Sequence, residues 1–399
     1  MNILFLTMNG FTDIEMHNIY SDLMKEFIAH GHRPYIVTPR EKKSGEKTEL
    51  IEYDDYGLLK VQIGNTSGVS LIEKGISTIT LSHRYYRAII KHLGKMAFDL
   101  ILYSTPPITL VGPVKKLKKK MSCRTYLMLK DIFPQNAVDL HMFSQRGLIH
   151  KYFRAQEKAL YRVSDTIGCM SKANVEYVLR QNPEVAKEKV ELCPNAIIPH
   201  EKESRVADKD KLRAEYHVPE QAVVYLYGGN LGKPQAIPYL VECLKDNLNR
   251  EDRFFVICGS GSEFHLLDEF VKEYQPSNVR LNAYLPKEQY DAVVRGCDVG
   301  LLFLDADFTI PNYPSRILSY MEYGMPVVAA TDINTDVGSD AEQNGYGVCC
   351  ESRRVSDFSA ALERLNEMGI DEAGERAREY LETHFTAERV YEIVMEENQ

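Results

Sequence analysis

The segment VVYLYGGNLGKPQ (Val223–Gln235) joins an apolar run of strand length to a glycine-rich loop. Glycine lets a backbone approach an anion closely, and a helix that follows offers free N–H groups and a favourable dipole. Lys233 adds a full positive charge to the loop. The segment therefore predicts either an anion-binding loop at the carboxyl end of a parallel strand or an ordinary tight turn between a strand and a helix.

The chain after this segment repeats the pattern of an apolar strand followed by a loop or helix. Together with Val223–Tyr227, the predicted strands are Phe254–Cys258, Val279–Asn282, Val299–Leu304 and Val327–Ala330. Residues 356–368 and 371–398 are predicted as closing helices. This alternation predicts a doubly wound α/β domain with a parallel sheet.

The first half of the chain shows the same alternation. Its predicted strands are Asn2–Met8, Arg33–Thr38, Asp99–Ser104 and Arg124–Leu129, and its predicted helices are Asp13–His30 and Ile108–Met121. Residues 41–80 are polar and are predicted as weak strands and loops. The charged segment Pro199–Pro219 interrupts the pattern, which indicates two domains of the same α/β class.

Charge is divided unequally between the two halves. Residues 1–200 contain 28 Lys and Arg against 20 Asp and Glu, whereas the remainder contains 20 against 37. A basic half of this kind favours contact with an anionic surface or substrate, and composition does not distinguish nucleic acid from an acidic membrane leaflet. The sequence also predicts no signal peptide, no membrane span and reduced thiols, which together favour a cytoplasmic protein.

Two further loops follow predicted strands of the second half. CGSGSE contains Gly259, Ser260 and Gly261, but it lacks the third glycine of the dinucleotide fingerprint. In PNYPSRILSY, Ser315 is predicted as the N-cap of a helix and Arg316 as a first-turn residue. A cation there opposes the helix dipole, so it suits either an anion held at this position or a nearby surface carboxylate.

The order of these motifs resembles family-4 glycosyltransferases. GGNLGK, CGSG, CDVGLLFL and PSRILSYMEYGMPVVA resemble the donor domain, in the branch that builds capsule, O-antigen and exopolysaccharide units. STPPIT, LKDIFPQNA, RVSDTIGCMS and CPNAI resemble the acceptor domain of that branch. The resemblance implies the GT-B fold, in which two Rossmann-like domains face each other across a cleft. Residues 1–198 would bind the acceptor and 199–384 the donor, and a helix at about 385–399 would cross back to the first domain.

The resemblance also implies roles for individual residues. Lys233 and Arg316 would act on the donor diphosphate, and Asp131 would serve as the catalytic residue of the acceptor domain. The implied donor-binding residues are Gly229, Asn230, Gly232, Gly259, Gly261, Tyr284, Leu285 and Ser315, with the backbone of Tyr284–Leu285 at the nucleobase. Gly10 and Lys130 would lie on the acceptor side, and Asn195 at the hinge.

The chain departs from the family pattern at two places. Many members carry a pair of glutamates at the positions of Pro311 and Ser319, so Tyr320 and Glu322 become candidates for the missing donor contacts. The common Arg and Lys of the first donor loop are replaced by Asn230 and Gln235, which leaves Lys233 as the cation of that loop.

The resemblance implies a reaction without cofactor or metal, with the nucleotide-sugar as substrate. Fixed cations would stabilise the charge that develops on the leaving diphosphate. In retaining members the acceptor hydroxyl attacks from the face that the leaving group vacates, so no protein nucleophile is needed. Asp305 and Asp307 form a D-x-D pattern, but they lie where the family has a variable loop.

The helix that ends in VKKLKKKMSCR carries a cluster of basic residues. We expect Lys115, Lys116, Lys119 and Lys120 to contact an anionic membrane, since basic amphipathic helices often lie on membrane surfaces. The alternative is a solvated helix face.

These observations predict a glycosyltransferase that moves a sugar, from a UDP-sugar in our expectation, to a lipid-linked glycan at the inner face of the cell membrane, without a nucleic-acid partner. Two alternatives stay open. One is an inactive GT-B subunit that supports a partner transferase, because the glutamate pair is absent. The other is a sugar-nucleotide epimerase of the same fold, which would need acid–base side chains that the sequence does not reveal.

Overall fold

A computed structural model describes residues 1–65 and 71–396, with the backbone alone for residues 71–76, 78 and 79. The chain divides into two compact units. Unit 1 comprises Met1–Ile198 together with Ala387–Gln399, and unit 2 comprises Pro199–Thr386.

Unit 1 is built on a sheet in which strands alternate with helices. Its strands are β1 (Asn2–Leu6), β2 (Arg33–Glu41), β3 (Glu49–Glu52), β4 (Gly57–Ile63), β5 (Leu100–Ser104), β6 (Arg124–Leu129), β7 (Thr166–Cys169) and β8 (Val190–Leu192). Its helices are α1 (Ser21–Ala29), α2 (Leu71–Leu93), α3 (Val111–Met121), α4 (Gln135–Asp139), α5 (Leu148–Val163) and α6 (Lys172–Gln181). The strand order is β3-β4-β2-β1-β5-β6-β7-β8, and β3 pairs antiparallel to β4 whereas the other pairs are parallel.

The parallel strands of unit 1 are apolar because helices cover both faces of the sheet. Every residue of β5 is buried, as is typical of a central strand in such a sheet. In α3, Val111, Val114 and Leu117 recur at helical spacing and are buried, so its lysines lie on the opposite face.

Unit 2 repeats the architecture with a fully parallel sheet. Its strands are β9 (Val223–Asn230), β10 (Arg253–Ser260), β11 (Val279–Asn282), β12 (Val299–Phe303), β13 (Val327–Thr331) and β14 (Gly347–Glu351). Its helices are α7 (Val206–Tyr216), α8 (Ile237–Asp246), α9 (Phe264–Tyr274), α10 (Lys287–Gly296), α11 (Arg316–Glu322), α12 (Val337–Gln343), α13 (Val355–Met368) and α14 (Ile370–His384). The strand order β11-β10-β9-β12-β13-β14 reverses direction between β9 and β12. In open α/β sheets this reversal point is where ligands bind, at the carboxyl ends of the strands.

The last helix, α15 (Ala387–Met395), belongs to unit 1 and packs on α1. Val390 and Val394 join the apolar core that contains Phe27. The ring of Tyr391 lies edge-on to Phe27 with 5.1 Å between centroids, and its hydroxyl is 2.9 Å from His32 Nε2. The predicted single helix over 371–398 is therefore wrong: it breaks near Phe385, whose buried ring packs against Tyr313.

Three other sequence predictions of local structure are corrected. The first helix begins at Ser21 rather than Asp13, because the side chain of Asn18 accepts hydrogen bonds from Tyr20 N and Ser21 N and fixes the start. Residues 71–80 are helical in α2 rather than loops, and residues 66–70 of that stretch lie outside the described residues. The predicted linker contains α7, which buries only Leu212 and therefore has a weak apolar pattern.

None of the helices within residues 1–65 and 71–396 combines the length and the apolar character that crossing a bilayer requires.

Candidate active site

Two glycine-rich loops lie side by side at the carboxyl edge of the unit 2 sheet. Gly229 at the end of β9 is in register with Gly259 at the end of β10. A Cβ added to Gly259 would lie 1.8 Å from the carbonyl oxygen of Gly229, and one added to Gly261 would lie 2.2 Å from that of Leu231. Both positions therefore require glycine, and the two loops present bare backbone at the strand ends.

Arg316, the first residue of α11, reaches the first of these loops. Its guanidinium carbon lies 4.7 Å from the centroid of the Tyr227 ring. The same carbon would be 3.3 Å from a Cβ on Gly229, which has a φ of +129°. The guanidinium therefore sits between an aromatic face and the backbone of the glycine loop, and the prediction that Arg316 occupies the first turn is confirmed.

The charge of Arg316 lacks full compensation. Its Nη1 atom is buried and has no hydrogen-bond partner, although buried polar groups are normally paired. A guanidinium keeps its proton in proteins, so Arg316 stays charged among the side chains of Tyr227, Tyr320 and Tyr290. Burial raises the pKa of those three phenols, which are therefore neutral. A partly buried cation with an unused donor, surrounded by neutral rings, is suited to binding an anion.

Lys233 lies exposed in a short 3-10 turn, Lys233–Gln235, on the same loop. This turn separates the loop from α8, so α8 does not follow the glycines directly. Nearby, burial raises the pKa of Glu263 and the charge of Lys233 lowers it. The Oε2 atom of Glu263 is buried without a hydrogen-bond partner.

Asn230 and Gly232 complete this loop. The amide of Asn230 donates to Gln235 Oε1 at 2.7 Å, and its carbonyl accepts a hydrogen bond of 2.8 Å from Tyr227 Oη. A Cβ on Gly232 would approach Asn230 Nδ2 to 2.9 Å. The side chain of Asn230 therefore shapes the loop, and its role in donor binding stays a prediction.

The other predicted donor contacts lie around the same sheet edge or beside it. Ser315 occupies the N-cap position of α11, but its side chain makes no capping hydrogen bond. Tyr284 follows β11 and is 78% exposed. Leu285 lines a cavity of about 350 Å³ together with residues of α7 and α10. Their proposed contacts with a phosphate and a nucleobase stay predictions.

Tyr320 and Glu322, which the sequence suggests as donor contacts, both form hydrogen bonds within unit 2. Tyr320 is wholly buried, and its hydroxyl accepts from Gly228 N at 3.1 Å and donates to Leu301 O at 3.4 Å. The carboxylate of Glu322 accepts from His200 N at 2.9 Å and lies 2.9 Å from His200 Nδ1. Both side chains thus make contacts that hold the fold of unit 2, and their role in place of the missing glutamate pair stays a prediction.

In unit 1, Asp131 lies two residues after β6, and the pKa of its carboxyl group is raised. Burial raises its pKa from 3.8 to about 6, while Ile132 N–H and the Asn136 amide oppose the shift. Asn136 Nδ2 donates to both carboxylate oxygens at 2.8 Å. A carboxyl group that changes charge near neutral pH can accept a proton from an acceptor hydroxyl.

The other predicted acceptor-side residues differ from each other in their surroundings. Lys130 Nζ donates to Pro194 O at 3.3 Å, and burial lowers its pKa. Its ammonium therefore ties the end of β6 to the segment that contains Asn195. Gly10 lies exposed after β1, and a Cβ there would meet no atom within 4 Å.

The basic cluster on α3 divides into paired and solvent-facing residues. Lys118 Nζ lies 2.6 Å from Asp165 Oδ1, and Arg124 binds the carbonyl of Val394. Lys115, Lys116, Lys119 and Lys120 are exposed, and Lys116 Nζ is 5.1 Å from the Tyr86 ring centroid. Val111, Val114 and Leu117 of α3 are buried in the core and Met121 is partly exposed, so the outward face of this helix is mainly charged.

Three residues of these sites were not found by sequence reasoning. In the sequence, Tyr227 resembles a core residue at the end of a strand, and Glu263 resembles an acidic residue at the start of a helix. Asn136 is one residue of the motif LKDIFPQNA. Their roles depend on contacts with Arg316, Lys233 and Asp131, which are distant in the chain or lie across a turn. Of the three, only Tyr227 carried a signal, because it lies near the end of a parallel strand, where ligands bind.

The chain is similar to known glycosyltransferases in both of its units. Residues 18–201 match Glycosyltransferase Family 4, and residues 208–383 match Glycosyl transferases group 1. WcaI of Escherichia coli (strain K12), named as a colanic acid biosynthesis glycosyl transferase, is 23% identical over 73% of this chain and 72% of its own.

Two solved structures share the fold over nearly the whole length. Sucrose-phosphate synthase from Thermosynechococcus elongatus has a TM-score of 0.73 at 16% identity, covering 98% of this chain and 97% of its own. HepE from Anabaena, in complex with UDP, has a TM-score of 0.67 at 15% identity, covering 99% and 98%. The first match falls almost entirely in unit 1 and the second in unit 2, and together they span most of the chain. The chain is thus a glycosyltransferase of family 4 with the GT-B fold.

Proposed function

We propose that the chain transfers a sugar from a UDP-sugar to a lipid-linked oligosaccharide during synthesis of a cell-surface polysaccharide, with retention and without a metal. The observation that carries this proposal is the buried, unpaired Nη1 of Arg316 beside the glycine loop. Two comparisons support it: WcaI is named for colanic acid biosynthesis, and HepE is solved with UDP. The proposed location is the cytoplasm, at the inner face of the cell membrane.

In this proposal, cations of unit 2 bind the donor diphosphate. Breaking the bond between sugar and phosphate places negative charge on the leaving UDP, and a preorganised donor stabilises it without rearrangement. Arg316 Nη1 can donate to the diphosphate without first breaking another hydrogen bond, because it has none. The exposed side chain of Lys233 supplies a second cation. The excess of acidic residues in the second half makes these local cations necessary, because the domain as a whole would repel a diphosphate.

On the acceptor side, Asp131 would hold the attacking hydroxyl. Its pKa of about 6 leaves it mostly ionised at neutral pH and able to accept a hydrogen bond. The departing diphosphate would take the proton in a retaining reaction, so Asp131 acts by binding and orienting the hydroxyl.

UDP should bind far more tightly than uridine, in the absence of added metal. Two charge-assisted contacts contribute about 1.5–3 kcal/mol each, which predicts a difference of at least about 100-fold. Calorimetry in the presence of EDTA measures both affinities. Equal affinities for UDP and uridine would contradict the assignment of the phosphates to Arg316 and Lys233.

The ring of Tyr227 should matter more than its hydroxyl. Tyr227→Phe keeps the aromatic face under Arg316, whereas Tyr227→Leu removes it. Both variants lose the hydrogen bond from Tyr227 Oη to Asn230 O. Only the Leu variant also loses the desolvated cation–π contact of about 2 kcal/mol, so it should bind UDP about 30-fold more weakly than the Phe variant. Calorimetry with thermal denaturation as a folding control checks this, and equal affinities of the two variants would refute the role of the ring.

A further inference from the structure

Three tyrosine hydroxyls of unit 2 converge on one carboxylate, that of Asp340 in α12. Tyr313 Oη donates to Asp340 Oδ2 at 2.7 Å, and Tyr346 Oη donates to the same oxygen at 2.8 Å. Tyr380 Oη donates to Oδ1 at 3.1 Å, as does the side-chain amide of Asn344. We name Asp340 and the three tyrosines the phenol cluster.

The hydroxyls of the phenol cluster keep their protons and act as donors. Burial raises the pKa of all three phenols above the ordinary value of tyrosine, and the charge of Asp340 raises it further. Hydrogen bonds to a carboxylate are about twice as strong as bonds between neutral groups. The phenol cluster therefore ties α12 to three places: the residue before β14 at Tyr346, α14 at Tyr380, and the loop before α11 at Tyr313.

Tyr313 is the member of the phenol cluster that bears on the candidate site, because it precedes Arg316 by three residues. It lies in the loop over residues 304–315, between β12 and α11. A second bond holds the same stretch of backbone, since Asn312 N donates to Thr335 Oγ1 at 3.1 Å. The end of the loop that leads into α11 is thus anchored from outside the loop.

The start of α11 depends on this anchorage. The side chain of Ser315, at the N-cap position, does not cap the helix, although a side-chain cap is the usual means of fixing a helix start. The first turn instead bonds back into the loop, from Ile317 N to Pro314 O at 3.2 Å. Proline has a fixed φ, so a displacement of Tyr313 passes through Pro314 to the helix start and to Arg316.

We propose that Asp340 is a positioning residue of the donor site: through Tyr313 it fixes the start of α11 and, with it, the place of the Arg316 guanidinium. That place is over the ring of Tyr227, 4.7 Å from its centroid. A displacement of about 1 Å at a reacting site can cost about 100-fold in rate, so an anchor remote from the substrate can matter. The inference rests on the proposed function for the task of Arg316, but the place of the guanidinium can be measured without UDP.

Tyr313→Phe and Tyr346→Phe form a matched pair of variants. Each removes one phenol hydrogen bond to Asp340 Oδ2 and keeps the ring, which in Tyr313 packs against Phe385 at 5.8 Å between centroids. Both variants should therefore lose similar thermal stability. In UDP calorimetry only Tyr313→Phe should bind more weakly, on the order of tenfold, because Tyr346 leads into β14 rather than into α11. Equal losses of UDP affinity in the two variants would assign the phenol cluster to folding alone and overturn the proposal.

Two further variants test whether the effect starts at Asp340 and passes through Arg316. Asp340→Asn should also weaken UDP binding, because an amide offers the hydroxyls one acceptor oxygen instead of two. In the Arg316→Ala background, Tyr313→Phe should lower UDP affinity no further, since the group that it positions is gone. A normal affinity in Asp340→Asn, or a full additional loss in the double variant, would overturn the proposal.

Nuclear magnetic resonance of the full chain with isotope-labelled arginine measures the place of the guanidinium without a ligand. Arg316→Ala identifies the Nε–Hε signal of Arg316 by its disappearance, and the Tyr227 ring should shift that signal upfield. Tyr313→Phe should move the signal toward the ordinary position of arginine, whereas Tyr346→Phe should not. A chain with this response that does not bind UDP supports the positioning role and contradicts the proposed function. A signal that Tyr313→Phe leaves in place, or that both variants move alike, would overturn the positioning role.

Discussion

Replacing Arg316 by alanine should slow sugar transfer by about 100- to 1000-fold, the loss expected when one preorganised electrostatic donor is removed. The melting temperature should change little, because the lost contact between the guanidinium and the Tyr227 ring is offset by removal of a largely desolvated charge whose Nη1 has no hydrogen-bond partner. A transfer assay with the expected UDP-sugar, alongside UDP affinity and thermal denaturation, measures the three quantities.

Lys245→Ala is the matched control for this experiment. Lys245 also lies over a tyrosine ring, 5.5 Å from the centroid of Tyr274, but in the last turn of α8. Its removal should leave transfer unchanged. Lys233→Ala should act in the same direction as Arg316→Ala, and the double variant should lose less than the product of the two effects, since both cations serve one diphosphate. A fully active Arg316→Ala enzyme would contradict the role of Arg316.

Replacing Asp131 by asparagine should lower the rate by about 100-fold, the loss expected when the attacking hydroxyl is no longer held in position. In the natural chain the rate should rise with pH through about 6, as Asp131 ionises. The variant should lose this limb of the pH profile. Since the Asn136 amide lowers the pKa of Asp131, Asn136→Ala should move the limb to higher pH.

The same group changes stability with pH in a direction that can be checked independently. Folding raises the pKa of Asp131, so the folded state favours the protonated carboxyl. Its contribution to the free energy of unfolding is present below pH 3.8 and is lost as the pH rises to about 6. Asp131→Asn should remove that pH dependence of stability. Asp139, which accepts a hydrogen bond from Gln135, is the matched control, and Asp139→Asn should retain the pH dependence. An unchanged pH–rate profile in Asp131→Asn would contradict its role.

The sequence predicts the fold well where apolar strands are fully buried. The five strands predicted in the second half correspond to β9–β13, because continuous apolar runs in a parallel sheet are easily recognised. The edge strand β14 was missed, since Cys349 and Cys350 are only partly buried and leave no clear run. Helix α7 was missed because ion pairs such as Lys209–Asp298 hold it more than apolar contacts do.

The sequence predicts those parts of the candidate site that depend on residues close together in the chain. Gly229, Gly259 and Gly261 could be found because a missing side chain is visible in the sequence. The position of Tyr227 under Arg316 could not, because it depends on β9 and α11 meeting across 89 residues of chain. The burial of Tyr320 could not be predicted either, because it depends on its ring packing against Gly300, 20 positions earlier in the chain.

The structure of the chain in complex with UDP tests the central claim most directly. The account predicts a β-phosphate oxygen at about 2.7–2.9 Å from Arg316 Nη1, the length of a charge-assisted hydrogen bond. The phosphates should lie against the backbone of Gly229, with the guanidinium still over Tyr227. A UDP molecule whose phosphates lie elsewhere, with Nη1 still unpaired, would contradict it.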